Sequence, residues 1–193
     1  DQHHLFRIER LEPQVVGVCR LVGDADVERL CDQAITDGIG GEFVHGPLHL
    51  RVRRSGQLYL IYARKPRLVL LAAHIARTMD KGLSIDPSLR LLVQVQAARR
   101  NGCAFCEDLT LAHAAQQKIG IDRFRALEDF RTSPLFTDRE KAALAFAEEA
   151  TRDRHVRDET WAAMRAHFTG EEIVEVTWVN AAENYFNLQA HTL

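Results

Sequence analysis

Two cysteines stand three residues apart at the start of a helical pattern, in the stretch Asn101–Cys106, whose sequence is NGCAFC. The first turn of an α-helix carries unpaired N–H groups and the positive end of the helix dipole, so the pKa of a thiol placed there tends to fall. Residues i and i+3 of a helix share one face, about one turn apart, which is close to the Cα separation of roughly 4.4–6.8 Å that a disulfide needs. The spacing therefore predicts a dithiol that can close into a disulfide and open again.

The alternative interpretation of this pair is two small buried core residues, because free cysteine is often found in protein interiors. The position at a helix start favours redox chemistry over that alternative. Cys19 and Cys31 have no partner at a comparable spacing, and we predict that they are core thiols. Four cysteines in a chain of 193 residues do not make a disulfide scaffold, so a reducing, cytoplasmic location is expected.

The composition is that of a globular protein and excludes several classes of partner. The chain is 46% hydrophobic and 27% charged, with a net charge of −2, so nothing indicates a nucleic-acid or anionic-membrane surface. Its longest apolar run, residues 68–73, is far too short to cross a bilayer. The length suits a single compact domain, and frequent Ala, Leu and Arg favour helix.

Helical periodicity and capping residues predict one all-α domain of about seven or eight helices. Thr137 to Glu140 and Thr169 to Glu172 match the capping box. The predicted helices are residues 24–37, 66–81, 89–100, 103–119, a short one capped by Asp122, 137–150, 158–168 and 169–190. Residues 39–46 are predicted to be a loop. Residues 48–62 fit either a β-hairpin or a short helix, and we favour the helix because the rest of the chain is helical.

Side-chain patterns add expectations for three of these helices. The helix from Pro66 should bury Leu68, Leu71 and Met79, and the cysteine helix should stop at Gly120. On the last helix, polar residues recur at i, i+3, i+4 and i+7, namely Asn180, Glu183, Asn184 and Asn187. Two interpretations of this polar seam stay open: a solvated face, or a hydrogen-bonded contact with another helix or subunit.

Residues 91–120, with NGCAFCEDLTLAHAAQQKIG at their centre, resemble the carboxymuconolactone decarboxylase and alkylhydroperoxidase D-like superfamily. The likeness continues through SPLFTDREKAALAFAEEAT and the closing residues 180–188, and it is weak before residue 64. It implies an N-terminal extension over residues 1–64 and a helical core over residues 65–193, built round a helical hairpin. It also implies a homo-oligomer, a trimer or hexamer, which the polar seam supports as well.

The resemblance also implies an activity. Members with a CxxC pair resemble antioxidant dithiol peroxidases, which reduce a hydroperoxide and are re-reduced by a lipoyl or thioredoxin-like partner. By that match Cys106 attacks the peroxide, Cys103 resolves the intermediate, and no cofactor is needed. The alternatives are a cofactor-free decarboxylase-like enzyme and a non-catalytic oligomeric binding protein. A metal site shared by Cys103, Cys106 and His113 is disfavoured, since seven helical residues span about 10.5 Å.

The proton relay of the peroxidases is altered in this chain. Their Glu twelve residues before the first cysteine is Leu91 here, and their His four residues after the second is Thr110. Some relatives have a Glu nine residues before the first cysteine, and the corresponding residue here is Gln94. His113 lies seven residues after Cys106. Gln94, Thr110 and His113 are therefore candidate lining residues of the active site. We expect weak hydroperoxide reduction, which Leu91→Glu with Thr110→His should raise at least about tenfold.

Overall fold

The computed structural model describes residues 64–192, and this part of the chain contains seven α-helices and no strand. The predicted all-α class is confirmed. The helices are α1 (Pro66–Lys81), α2 (Pro87–Arg100), α3 (Ala104–Gln116), α4 (Ile121–Arg125) with a following 3₁₀ turn (Ala126–Asp129), α5 (Asp138–Arg152), α6 (Asp158–His167) and α7 (Gly170–Thr192). The predictions for residues 24–37, 39–46 and 48–62, and for Cys19 and Cys31, lie outside the described residues.

The chain divides into two compact units between Ala76 and Arg77, within α1. Helices α2 to α7, which position the cysteines, all belong to the second unit. The predicted division at residues 64 and 65 stays a prediction, because residues 1–63 lie outside the described part. Between residues 64 and 192, no helix has the length and apolar character that crossing a membrane requires.

Helix α2 is the centre of the second unit. It packs against α3, α5 and α7, and every residue from Leu89 to Ala98 is buried. Its start is fixed by Asp86, whose Oδ1 accepts hydrogen bonds from the backbone N–H groups of Ser88 at 2.8 Å and Leu89 at 3.2 Å. A helix buried on all sides must satisfy its polar side chains inside the protein, and this requirement shapes the candidate site.

Two apolar clusters hold the other helices to α2. One cluster joins it to α5, α6 and α7, and the other joins it to α3, α4 and α5. The predicted inward-facing residues Phe124, Leu127 and Phe130 are buried in the second cluster. Together the clusters fix the distances between α2, α3 and α7, the three helices that surround the cysteines.

Both predicted capping boxes are present. Glu140 and Thr137 exchange side-chain and backbone hydrogen bonds at the start of α5, and Glu172 and Thr169 do so at the start of α7. Each box satisfies N–H groups that the first turn of a helix leaves unpaired. These local signals therefore set the starts of α5 and α7 correctly.

Several predicted boundaries and faces were wrong. Helix α3 ends at Gln116, three residues before the predicted end, because Lys118 takes a left-handed conformation (φ 58°) that closes it. Gly120 has an extended conformation and precedes α4 as its N-cap, the position that the sequence had suggested for Asp122. On α1, Met79 is buried as predicted, but Leu68 and Leu71 are exposed.

Candidate active site

The turn between α2 and α3 places Cys103. Gly102 has a φ of 69°, a left-handed conformation that glycine adopts without the steric cost of a Cβ. Its N–H donates to the carbonyl of Arg99 at 3.0 Å, and the N–H of Cys103 donates to the carbonyl of Ala98 at 2.9 Å. These two bonds form a Schellman motif, which ends α2 and turns the chain directly into α3.

Cys103 is also the N-cap of α3, and Cys106 lies in its first turn. The N–H of Cys106 donates to Sγ of Cys103 at 3.3 Å, and the two cysteines form a disulfide with a Cα–Cα distance of 5.3 Å. The predicted pairing at the helix start is thus present in the structure. Both cysteines are buried, with exposed fractions of 4% and 6%, and they pack against Ala98, Phe105 and Ala190.

The carboxylate beside the disulfide is neutralised. Glu107 follows Cys106 directly, and its Oε1 accepts a hydrogen bond from Nε of Arg99 at 2.8 Å. An unpaired carboxylate at this position would oppose the formation of a thiolate. The ion pair with Arg99 reduces that repulsion, and it also joins the end of α2 to the start of α3.

Leu91, which takes the place of the relay glutamate of the peroxidases, lies in a different apolar cluster from the cysteines. Leu91 is fully buried in the apolar cluster between α2, α3, α4 and α5, whereas the cysteines belong to a different cluster. Thr110 is buried one turn after Cys106, and its hydroxyl donates to the carbonyl of Cys106 at 3.0 Å. A hydroxyl held in this way is no base near neutral pH. His113 is half-buried near the end of α3.

Gln94 contacts a carboxyl group that the sequence analysis did not assign to the site. Its Nε2 donates to Oε2 of Glu183 at 3.1 Å, across the contact between α2 and α7. Gln94 and Glu183 are both buried, with exposed fractions of 7% and 4%. A buried carboxyl therefore lies beside position 94, supplied by the facing helix. The polar seam on the last helix was the signal for Glu183, but its spacing gives no partner on α2.

A hydrogen-bonded network of amides links Glu183 to the turn before Cys103. Nδ2 of Asn187 donates to Glu183, and Oδ1 of Asn187 accepts from Nδ2 of Asn101 at 2.8 Å. Asn101 also donates to Oδ1 of Asn184 at 3.1 Å. The polar seam therefore packs against helices of the same chain, and the interpretation as a solvated face was wrong. The seam no longer supports a subunit contact, so the homo-oligomer stays a prediction.

Burial raises the pKa of Glu183 above its usual value, while the hydrogen bonds from Gln94 and Asn187 act in the opposite direction. Both donors are neutral amides. Without a positive partner, desolvation decides the direction of the shift, because burial disfavours the charged form of a carboxyl. Glu183 thus has the character of a buried acid, joined through Asn187 and Asn101 to the turn before Cys103.

One concave region of the described structure does not include the cysteines. A shallow groove between the 3₁₀ turn, α5 and α6 is lined by residues such as Arg131, Lys141, Glu159, Thr160 and His167. Between residues 64 and 192, no group of three or more His, Cys, Asp or Glu side chains is placed to hold a metal ion. The candidate for a reactive site is therefore the disulfide together with the buried hydrogen-bonded network on α2 and α7.

The fold, the cysteine pair and the sequence together define the class of protein. Residues 69–149 match the model of the carboxymuconolactone decarboxylase family. YnjA of Escherichia coli K12 is 31% identical over 125 residues, which cover 64% of this chain and 69% of YnjA. YdfG of Bacillus subtilis 168 is 28% identical over 109 residues, which cover 55% of this chain and 74% of YdfG. The chain belongs to the carboxymuconolactone decarboxylase family.

Solved structures show the same fold at lower identity. ATU0492 of Agrobacterium tumefaciens, a protein of unknown function proposed to be the antioxidant defence protein AhpD, superposes with a TM-score of 0.61 at 24% identity. That match covers 66% of this chain and 88% of ATU0492. The debrominase Bmp8 superposes with a TM-score of 0.64 at 20% identity over 68% of this chain and 72% of Bmp8. A variant of Bmp8 in which one cysteine is replaced by alanine has been solved with 2,3,4-tribromopyrrole.

Proposed function

We propose that this protein is a thiol-dependent oxidoreductase that reduces a hydroperoxide through the Cys103–Cys106 pair. The observation that carries the proposal is the disulfide at the start of α3, with Cys103 as the N-cap. A cysteine pair at a helix start, joined to a second helix by a tight turn, can alternate between dithiol and disulfide with little movement of the backbone. Membership of the family and the AhpD-like fold support the same function.

The proposed reaction consumes one dithiol for each hydroperoxide. The thiolate of Cys106 attacks the outer oxygen, the O–O bond breaks, and Cys106 becomes a sulfenic acid as an alkoxide leaves. The alkoxide takes up a proton to become an alcohol. The thiol of Cys103 then attacks the sulfenic sulfur, which forms the disulfide and releases water. A lipoyl or thioredoxin-like dithiol returns two electrons and two protons to the pair. The roles of the two cysteines are carried over from the family resemblance.

The direct test is to mix the reduced protein with hydroperoxides of several sizes and count free thiols over time. We expect two thiols to disappear for each hydroperoxide consumed, and mass spectrometry to locate the loss at Cys103 and Cys106. A bromopyrrole belongs in the same series, because the fold is shared with a debrominase. If both cysteines remain as easily alkylated after hydroperoxide treatment as before, the proposed function is wrong.

The roles of the two cysteines can be separated with single variants. Cys103→Ser keeps an oxygen that can cap α3 but removes the resolving thiol, so a sulfenic acid should accumulate at Cys106 and react with dimedone. Cys106→Ser should give no such adduct. The opposite pattern would exchange the roles of the two residues and leave the dithiol chemistry intact.

A further inference from the structure

Glu183 is a buried carboxyl whose two oxygens are both occupied by amide donors. Oε2 accepts from Gln94 at 3.1 Å, and Oε1 accepts from Asn187 at 2.6 Å. This arrangement suits a carboxylate, which only accepts. When the group is protonated, it has a hydroxyl donor, and neither amide nitrogen can accept a hydrogen bond from it. A change in its protonation state must therefore alter its hydrogen bonds with the side chains that contact it.

The orientation of the amides in the network is fixed from its far end. Nδ2 of Asn184 donates at 2.8 Å to the backbone carbonyl of Asn180, which can only accept. Oδ1 of Asn184 must then accept, and it does so from Nδ2 of Asn101. Because Asn101 donates to Oδ1 of Asn187 with the same nitrogen, Asn187 must present Nδ2 to Glu183. Each hydrogen bond in this chain is therefore donated in the same direction, from Asn101 to Asn187 and from Asn187 to Glu183.

The network ends at Asn101, which caps α2 and lies two residues before Cys103. The carbonyl of Asn101 lies 2.9 Å from Nε2 of His191, near the end of α7. Ala190 lies seven residues after Glu183 on α7, about 10 Å along the helix axis, and packs against the cluster of Ala98, Cys103 and Cys106. As a general scale, two charges separated by about 10 Å at an effective dielectric constant of about 20 shift each other's pKa by about one unit.

We propose that Glu183 binds a proton when the Cys103–Cys106 disulfide is reduced and releases it when the disulfide re-forms. Glu183 is then a positioning residue for the thiol chemistry proposed above, and the inference rests on that function. Reduction by a dithiol delivers two electrons and two protons: one proton stays on the thiol of Cys103, the other goes to Glu183, and Cys106 is left as the thiolate. When the thiolate breaks the O–O bond of a hydroperoxide, the released proton balances the alkoxide that leaves.

The other charged groups on the neighbouring elements have their own partners. Gln94 also accepts from Arg90 at 3.4 Å, so its amide stands between Arg90 and Glu183 in the hydrogen-bonded network. Ion pairs of charged side chains on α1, α2, α3 and α5 are Asp80 with Arg90, Glu107 with Arg99, Glu128 with Arg99 and Arg100, Glu140 with Arg123, Glu148 with Arg100, Arg131 and Arg152, Glu149 with Arg157, Asp153 with Arg152, and Glu172 with Arg139. Further charges on α1 and α3 are Arg77, Lys81 and Asp108, and α7 contributes His191.

The test measures the equilibrium of the Cys103–Cys106 pair with dithiothreitol across the pH range in which carboxyls and thiols titrate. The unmodified protein is compared with Glu183→Gln, and with Glu171→Gln as a control that removes an exposed carboxyl from the same helix. As the pH crosses the range in which Glu183 titrates, the equilibrium constant should change by about tenfold in the unmodified protein and in Glu171→Gln. A tenfold change corresponds to a difference of one unit between the pKa of Glu183 in the oxidised and in the reduced protein. The step should be absent in Glu183→Gln.

A spectroscopic measurement on the unmodified protein decides the question even if Glu183→Gln does not fold. The reduced-minus-oxidised infrared spectrum should gain the band of a protonated carboxyl. Absence of that band, or the same step in Glu183→Gln as in the unmodified protein, would overturn the inference while leaving dithiol chemistry intact. If the cysteine pair equilibrates with dithiothreitol and shows the pH-dependent change but does not react with hydroperoxides, the proposed substrate is wrong. The proposed role of Glu183 would then still hold. A pair that cannot be reduced would overturn both.

Discussion

The side-chain amide of Gln94 lies 3.1 Å from the carboxyl of Glu183, although 89 residues separate them in the chain. The family resemblance implies a glutamate at position 94 in some relatives, whereas this chain has an amide there and a buried carboxyl on the facing helix. Both positions are buried at the contact between α2 and α7. In this chain the buried carboxyl at this contact is supplied by α7.

Moving the buried carboxyl from α7 to α2 tests the dependence of the cysteine pair on its environment. In the double variant Gln94→Glu with Glu183→Gln, the new carboxyl lies beside Arg90, which already donates to the side chain at position 94. A neighbouring guanidinium favours the charged form, so the pKa of the carboxyl at position 94 should be lower than that of Glu183. The pH-dependent step in the disulfide equilibrium should move to lower pH. A step that stays at the same pH would show that another group causes it.

The free energy of unfolding should depend on pH through Glu183. Its pKa is raised in the folded protein, so between the ordinary value of 4.5 and the raised value the folded state holds a proton that the unfolded chain has released. Stability should therefore fall as the pH rises through this interval, by at most about 1.4 kcal/mol per pH unit. Urea unfolding of oxidised protein at several pH values measures the slope. Glu183→Gln should flatten it and Glu171→Gln should not.

Glu149 should show the opposite dependence. Burial on its own would raise the pKa of this carboxyl, but hydrogen bonds from Arg157 and Thr160 outweigh it and hold the pKa below its usual value. Its contribution to stability should be present above pH 4.5 and be lost as the pH falls through the lowered pKa. In acid unfolding experiments, Glu149→Gln should differ from the unmodified protein most at neutral pH and least in strong acid. A constant difference at all pH values would contradict this assignment.

Leu91→Glu should destabilise the protein strongly rather than restore a proton relay. Leu91 is fully buried among apolar side chains, and placing a carboxyl there without a partner should cost about 3 kcal/mol or more. Leu91→Met keeps the volume and the apolar character, so its cost should stay below about 1.5 kcal/mol. Chemical denaturation of the two variants measures the difference. A stable Leu91→Glu variant with faster hydroperoxide turnover would place this side chain in the relay after all.

The features that the sequence predicted correctly are those set by neighbouring residues. The capping boxes at Thr137 and Thr169 involve residues three apart, and the pairing of Cys103 with Cys106 depends on one turn of helix. Such contacts form in nearly the same way in any fold that contains the helix. The all-α class follows from the same local periodicity, repeated along the chain.

The features that the sequence did not predict depend on packing between distant segments. No spacing on α7 indicates that Glu183 contacts Gln94, and none on α2 indicates that this helix is buried on all sides. The match of Leu91 to a relay position came from counting residues before the first cysteine. Whether that side chain faces the cysteines or an apolar cluster is decided by the arrangement of α3, α4 and α5 around α2.

The double role of Cys103 determines which substitutions can serve as chemical probes. The residue closes the Schellman motif at the end of α2 through its N–H, and its Sγ accepts the N–H of Cys106 at the start of α3. Cys103→Ala would remove the thiol and the cap together, so a slower reaction could reflect a frayed helix rather than lost chemistry. Cys103→Ser supplies a hydroxyl at a position where serine is a favoured cap, and it isolates the loss of sulfur. Helix content measured by circular dichroism should separate these two substitutions before any kinetic comparison is made.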